Sequence, residues 1–535
     1  MDYPVESFTD VERARLAPHV TNLDGPVFAL VNLPETVKGA LFARYSRYPG
    51  TLRRLFLEEF AEGLPEAPVG WDGAEGDRAA QLYERMLLGY GDDSVAQLGG
   101  AHVACEWVSN VLTKVLQRPR PAAYLEQSTR YITFDREMPG GGYRYYRDDE
   151  LGPQYAQAMD ALFDAYATAL PAVTAWAEAQ FPRADGESSS AHARAIRAKA
   201  LDLLRGLLPA ASLSHMGIFA TGQTYEQLIL HLLAHPLPEA RRYGRMILAE
   251  VKAIMPSFVA RVERPDRGGD WIDYLEQREA SARRAVAHLG LDRHADAVPG
   301  PSVRLVRVDG TQEEVMAALL FEAAGVPEQQ TIQAIEGMSR PELEAVWEDL
   351  VGDRRNRRYR PGRGLETLQY RFEIVSDYGA FRDLQRHRML TCQWQALTPD
   401  LGAGVPEEVD AAGQGDAYRQ ALDRSRAEYE RLADAGLQRA APYALCLGYR
   451  IRYVLDLNAR EAMQLIELRS GREGHPSYRA VAHEMHAQIA AVHPLVADAM
   501  RHVDHDAEPR LERILSEMRT QSRREGAEAS SPSRT

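Results

Sequence analysis

Cysteine is scarce in this chain: Cys105, Cys392 and Cys446 are the only three among 535 residues. Three scattered thiols build neither a disulfide framework nor a zinc cage, and the odd count points to a reducing compartment, the cytoplasm. Long apolar runs are also lacking, since none approaches the ~20 residues that span a bilayer. The opening stretch MDYPVESFTDVERARL carries acids where a leader needs bases. The expectation is a protein neither secreted nor membrane-bound. Positive charge is in deficit as well: 63 Lys and Arg stand against 77 Asp and Glu, a net charge of -14. That excludes a nucleic-acid binder working by counterion release, while a local basic cluster remains free to hold a small anion such as phosphate.

Apolar residues make up 45% of the chain and charged ones 26%, the composition of a globular protein with a large core. The length calls for ~2 to 4 domains. Apolar residues return every three or four positions in LFARYSRYPGTLRRLFLEEF (41–60) and DALFDAYATALPAVTAWAEAQF (160–181), which predicts packed helices. ADGESSS (184–190) reads as a loop, and HADAVPGPS (294–302), with its glycine and prolines, as a domain boundary. SVRLVRVDG, directly after it, alternates like a half-buried strand opening a new domain. The division expected is therefore 1–295, 300–520 and a frayed tail, 521–535.

Two segments repeat one pattern. AHVACEWVSNVLTKVLQRPR (101–120) alternates, switches to helical spacing and ends in Arg118-Pro119-Arg120. YRFEIVSDYGAFRDLQRHR (370–388) alternates at Tyr370, Phe372 and Ile374, offers Ser376 as an N-cap, and ends in Arg386-His387-Arg388. Strand, helix and Arg-x-Arg occur twice, and two similar halves are the working architecture. Guanidinium forks at a helix end suit phosphate or carboxylate, although a lone Arg-x-Arg more often serves the helix dipole and solvation. The residues beyond Arg120 add weight: after seven intervening positions stands Ser128, and Thr129 then leads to Arg130.

This arrangement resembles the flavin-dependent thymidylate synthase family (ThyX), whose signature is RHR, seven residues and Ser, continuing to Arg. The first half offers RPR-x7-S with Glu126, Ser128 and Arg130, but Pro119 replaces the histidine. The second has an intact RHR, but Trp394, Ala396 and Thr398 stand where Glu, Ser and Arg belong. Asn458-Ala459-Arg460, Gln464 and Arg469 resemble the family's C-terminal helix, and GHPSYR (474–479) also looks like the family. The aligned first-half stretch has Gly222-Gln223-Thr224 for the triplet and Leu233 for the late arginine, while Arg205, four residues before Pro209, matches a nucleotide-reaching arginine.

The resemblance implies an α+β fold of two tandem domains, each a small, mostly antiparallel sheet packed with long helices. It implies reductive methylation of dUMP to dTMP, with FAD as cofactor and NADPH and methylenetetrahydrofolate as co-substrates. Arg469 would be the catalytic residue, stabilising charge on the pyrimidine. Arg118, Glu126, Gln127, Ser128, Thr129, Arg130 and Arg205 would bind substrate, and Arg386, His387, Arg388, Asn458, Arg460 and Gln464 the flavin. Family sites are shared among subunits of a homotetramer, so a homodimer of fused chains is expected to form a tetramer-like particle. The alternative is a degenerate flavin- or nucleotide-binding protein without turnover. The histidines His483, His486, His502 and His505, at i, i+3 spacing, lack a third ligand and read as solvated helix faces, so no metal is expected. Cys392 has no partner base and reads as a packed thiol. DDSVAQLGGAH (92–102) contains no phosphate-loop pattern.

Overall fold

The computed structural model describes residue 3 and residues 6–62, 81–82, 85–86, 93–138, 141–291, 299–506, 511–514, 517–518 and 521. Residues 292–298 of the expected boundary, the tail beyond 521 and Asp92 lie outside the described residues.

The architecture is α+β, with two four-stranded antiparallel sheets among helices. The first contains β1 (Val27–Leu30), β2 (Gly100–Ser109), β3 (Ala122–Glu126) and β4 (Leu213–Thr221) in the order β1-β2-β4-β3. The second contains β5 (Ser302–Asp309), β6 (Gln369–Asp377), β7 (Leu390–Trp394) and β8 (Arg450–Asn458) in the same order, β5-β6-β8-β7. Period-two patterning explains these strands: in β8, Ile451, Tyr453, Leu455 and Leu457 are buried on one face while Arg450, Arg452, Asp456 and Asn458 stand on the other. Helices α1 (Asn110–Leu116), α2 (Ser189–Leu204), α3 (Gly222–Leu233) and α4 (Pro238–Ile254) belong to the first half of the chain. Helices α5 (Tyr378–Leu384), α6 (Ala459–Arg469) and α7 (Pro476–Val492) belong to the second.

Strand runs into helix at four places, and each junction is an N-cap whose side chain accepts a backbone N–H two or three residues on. Ser109 caps α1, Thr221 caps α3, Asp377 caps α5 and Asn458 caps α6. The cap of α5 is thus Asp377 rather than Ser376, whose hydroxyl instead meets the Tyr453 hydroxyl at 2.9 Å. A carboxylate accepts the Ala380 N–H more strongly than a hydroxyl would. Register also moves one alignment: Thr221 lies opposite Gly100 as Asn458 lies opposite Gln369. The counterpart of Asn458-Ala459-Arg460 is therefore Thr221-Gly222-Gln223, one residue earlier than the sequence suggested, and the counterpart of Arg469 is Leu232. Spacing within a helix cannot fix a one-residue offset; the cap does.

The two sheets are irregular in different strands. Strand β2 carries a bulge between Cys105 and Val108 where it pairs with β4, with Trp107 at φ 59, whereas β6 pairs with β8 without a shift and the irregularity of the second sheet lies between Leu305 and Arg307, where β5 pairs with β6.

The chain forms two compact units. Unit one is Met1–Ala167, Leu208–Ala297 and Ala421–Cys446; unit two is Thr168–Leu207, Val298–Gln420 and Leu447–Thr535. Each unit therefore takes a segment from the opposite half of the sequence. Helices Gly152–Gln180 and Gly415–Asp434 carry the chain from one unit to the other, an exchange that a division at residues 295 to 300 does not contain.

Candidate functional site

In unit two, β6 delivers the chain into α5, and α5 ends at Arg386-His387-Arg388. His387 is buried, with Nδ1 3.0 Å from Glu461 Oε1, while Nε2 lies 3.0 Å from Arg469 Nε. A guanidinium can only donate, so Nε2 is the unprotonated nitrogen and Nδ1–H donates to Glu461. Burial lowers the His387 pKa, Glu461 opposes that, and Arg469 adds to it. The ring is a neutral link that fixes Arg469, whose guanidinium also lies over the Tyr478 ring, 5.4 Å from its centroid. Desolvation pulls the Arg469 pKa below its ordinary value.

Beside this link is a charge cluster. Arg205, from the segment that the first half contributes, is buried and stands 3.3 Å from Asp383 and 3.7 Å from Asp377. Arg386 meets the other oxygen of Asp383 at 3.2 Å. Arg469 interacts electrostatically with Asp383 and Arg386, and Arg450 with Asp377. Four guanidinium groups thus surround two carboxylates, an excess of two positive charges. Burial raises the Asp377 pKa, with Arg205 opposing. Gly379 makes the approach possible, because a Cβ there would lie 3.0 Å from Arg205 Cζ.

Helix α6 presents the remaining second-half residues. Asn458 Oδ1 accepts from the Glu461 N–H at 2.9 Å, and Arg460 is held by the Pro361 carbonyl at 3.1 Å and by Glu366 at 3.4 Å. Gln464, one turn beyond Arg460, has a shielded Oε1 with no hydrogen-bond partner among the described residues. Arg388 is exposed.

Unit one holds the other expected substrate residues. Glu126 is buried and accepts from Lys114 at 3.0 Å and Gln117 at 2.9 Å. Gln127 donates to the Tyr48 carbonyl at 2.6 Å and accepts from Arg144. Ser128 anchors its loop through its own N–H to the Ser46 carbonyl, 3.1 Å, and its hydroxyl accepts the Arg130 N–H at 3.2 Å. Thr129 is buried, Arg130 half-buried, and Arg118 exposed just beyond the end of α1. Glu126 and Gln127 are committed to internal bonds, whereas Ser128 to Arg130 form a tight turn.

Two regions of the chain, 58–257 and 311–495, match the model of one family, described as thymidylate synthase complementing protein. The chain belongs to the thymidylate synthase complementing protein family. The UPF0159 protein of Chlamydia muridarum is 37% identical over 532 residues, which cover 96% of this chain and 98% of that protein. A UPF0159 protein of Chlamydia pneumoniae is 37% identical over 529 residues, with 96% and 98% covered. One from Thermoplasma acidophilum is 31% identical over 518 residues, with 90% and 98% covered. Among solved structures, a UMP/dUMP methylase, PolB of Streptomyces cacaoi bound with 5-Br dUMP, is 20% identical, covering 38% of this chain and 95% of that one at a TM-score of 0.32.

For this member of the thymidylate synthase complementing protein family, unit two gathers Arg205, Arg386, His387 and Arg469, with Asn458, Arg460 and Gln464 along α6. The residues that sequence reasoning missed are Asp377, Asp383 and Glu461. Asp383 sits three residues before Arg386, and Glu461 three after the cap Asn458, so helical spacing offered a signal for both. Among the described residues no group of three or more His, Cys, Asp or Glu side chains is placed to hold a metal ion. His483 instead meets the Asp504 carbonyl at 2.7 Å and His486 the Ala497 carbonyl at 3.2 Å. Cys392 is half-buried in β7. No helix among the described residues is long and apolar enough to cross a membrane.

Proposed function

We propose that the chain is a flavin-dependent methyltransferase that converts dUMP to dTMP, with methylenetetrahydrofolate and NADPH as co-substrates, and that unit two carries the reacting site. The observation that supports this best is the excess of two positive charges in the Arg205, Arg386, Arg450 and Arg469 cluster. A phosphate monoester carries about -1.5 to -2 charge at neutral pH, so the excess matches one nucleotide phosphate.

The residues on α6 fit a flavin in donor and acceptor character. Gln464 has a shielded, unsatisfied carbonyl oxygen suited to a ring N–H, Arg388 is exposed, and Arg460 is already oriented by Pro361 and Glu366. FAD, when bound, would supply hydride chemistry that no side chain offers. The chain's own part is positioning: the Glu461–His387 link holds Arg469 to face the negative charge that develops on the pyrimidine as its C5 becomes nucleophilic. Arg386, sharing Asp383 with Arg205, would meet the phosphate.

A second reading, a binding protein without turnover, draws on Ala396 and Thr398, where the family has Ser and Arg. Under the first reading Ser128, Thr129 and Arg130 bind substrate phosphate, and a homodimer of fused chains is the assembled particle. Turnover of dUMP by the purified, flavin-loaded chain separates the two. dTMP formation supports the synthase, whereas flavin and dUMP binding without product supports the binding protein.

A further inference from the structure

Strand β2 leaves its ladder at Trp107. A bulky residue at φ 59 is strained, and the bulge sets the Trp107 N–H on His215 Nδ1 at 3.1 Å. Burial, with the nearby charges of Arg144 and Arg53, keeps the His215 ring neutral. Nδ1 accepts, so Nε2 carries the proton. The ring is fully buried, stacked on Tyr45 with centroids 5.3 Å apart and met edge-on by Trp107 at 4.5 Å. Its Nε2–H has no hydrogen-bond partner among the described residues.

A second donor beside it is also unpartnered. Arg144 is buried, with its guanidinium carbon 5.1 Å from the centroid of the Trp107 ring and 5.6 Å from that of Phe134. Nη2 donates to Gln127 Oε1, while the Nε–H has no partner among the described residues. Desolvation pulls the Arg144 pKa down to about 10, which leaves it a cation at neutral pH. Its charge acts on His215, so the two groups share one region of the core.

The charges in this region do not balance. Glu106 is the carboxylate that acts on Arg144, and its oxygens are already taken. Oε1 accepts from the Tyr45 hydroxyl at 3.1 Å and the Leu52 N–H at 2.8 Å, and Oε2 from Arg53 Nη2 at 3.2 Å. Two guanidinium groups against one carboxylate leave an excess of one positive charge, where burial makes an unpaired ion costly. Unit two has no equivalent. The Leu213 N–H donates to the Arg144 carbonyl as the Arg450 N–H donates to that of Gly402, so a glycine stands in the place of Arg144. Six residues before the aligned caps Thr221 and Asn458, Arg452 stands in the place of His215.

We propose that Arg144 Nε and His215 Nε2 of unit one hold one small monovalent anion, a halide such as chloride. Two N–H donors and one uncompensated positive charge call for an acceptor with a single negative charge. A water could accept both bonds, but it would leave the charge unbalanced and bring two hydrogens of its own that need acceptors. Desolvation penalises multiply charged ions most, which selects a halide over phosphate. Each chain has one such site, and the inference stands apart from the methyltransferase reading.

Hydrogen exchange of the full chain tests this, with sodium gluconate replaced by sodium chloride at constant ionic strength. Protection of β2 and β4 amides should rise with chloride, up to tenfold for each tenfold increase above half-saturation, while β6 and β8 of unit two stay unchanged. Sodium bromide should act in the same way. Arg144→Met removes the charge and the Nε donor and should abolish the dependence. If that variant does not fold, crystals of the parent chain grown in bromide give the answer, as one anomalous peak in contact with Arg144 Nε and His215 Nε2. Chloride-independent protection in unit one, an equal response in both units, an undiminished response in folded Arg144→Met, or no bromide at that position would each overturn the proposal. Absence of dUMP turnover in the parent chain would count against the methyltransferase reading alone.

Discussion

Replacing His387 with alanine tests the link that positions Arg469. The ring bridges Glu461, 4% exposed, and Arg469, with two contacts of 3.0 Å. Its removal strands a buried carboxylate and a desolvated guanidinium. A hydrogen bond to a charged group contributes ~1.5 to 3 kcal/mol, so two lost bonds should destabilise the fold by about 3 to 6 kcal/mol. Urea denaturation reads that directly. His387→Gln can still donate to Glu461 or accept from Arg469, and should recover roughly half of the loss. The pH dependence has a definite sign. The folded pKa of His387 lies below the ordinary value of 6.5, so the unfolded state binds the proton more readily and stability falls as pH drops through and below that value. The glutamine variant should flatten this slope. Under the proposed function, turnover at saturating dUMP should fall ~10-fold or more, because Arg469 remains but is no longer aimed. Unchanged urea midpoint, pH slope and turnover in His387→Ala would refute the positioning argument.

Other variants probe the same geometry. Arg386→Gln lowers the charge excess at the cluster from two to one; calorimetry should show dUMP binding weakened by roughly 10- to 100-fold, with binding of uncharged deoxyuridine little altered. Lys114→Met leaves Glu126 buried without its cation and should cost about 3 to 5 kcal/mol in urea denaturation, with no rise in the apparent dUMP constant of the folded fraction. Burial raises the Glu239 carboxyl to about 7; the folded state then holds that proton more tightly, and stability present below the unfolded value near 4.5 is lost as pH rises through 7, by roughly 3 kcal/mol. Glu239→Gln should remove that loss, read as a urea midpoint at pH 8, relative to pH 5, higher than the parent chain's.

Much of this architecture was legible because it depends on period and capping. Tyr370, Phe372 and Ile374 announce β6, SVRLVRVDG announces β5, and both Arg-x-Arg motifs stand where a short helix ends. The helix predicted over 160–181 falls on Gly152–Gln180, overrunning its end by one residue, and the loop predicted over 184–190 runs into the first two residues of α2. What escaped was long-range. The bulge at Trp107 does not break the alternation of β2 in any way that composition reveals. The helices Gln312–Ala324, Glu328–Glu336 and Arg340–Val351, which separate β5 from β6, were not anticipated. The exchange of 168–207 and 421–446 between units leaves no local signal, because it is set by packing and not by spacing. For the site, arginines were found by their motif, while their carboxylate partners Asp377 and Asp383 were not, since an acid becomes informative only once its cation is located. His387 was assigned to the flavin with its motif; both ring nitrogens in fact bond to Glu461 and Arg469, side chains of α6, 74 and 82 residues away.

The proposed chemistry is tested most directly by tritium release from dUMP labelled at C5, catalysed by the flavin-loaded chain supplied with methylenetetrahydrofolate and NADPH. Bond formation at C5 must displace that hydrogen. The expected result is release stoichiometric with dTMP in the parent chain, reduced by about 100-fold in an Arg469→Ala variant that still binds flavin and dUMP. Equal release from the parent and from Arg469→Ala would contradict the role of Arg469, and no release from a folded parent chain that binds both flavin and dUMP would contradict the synthase reading itself.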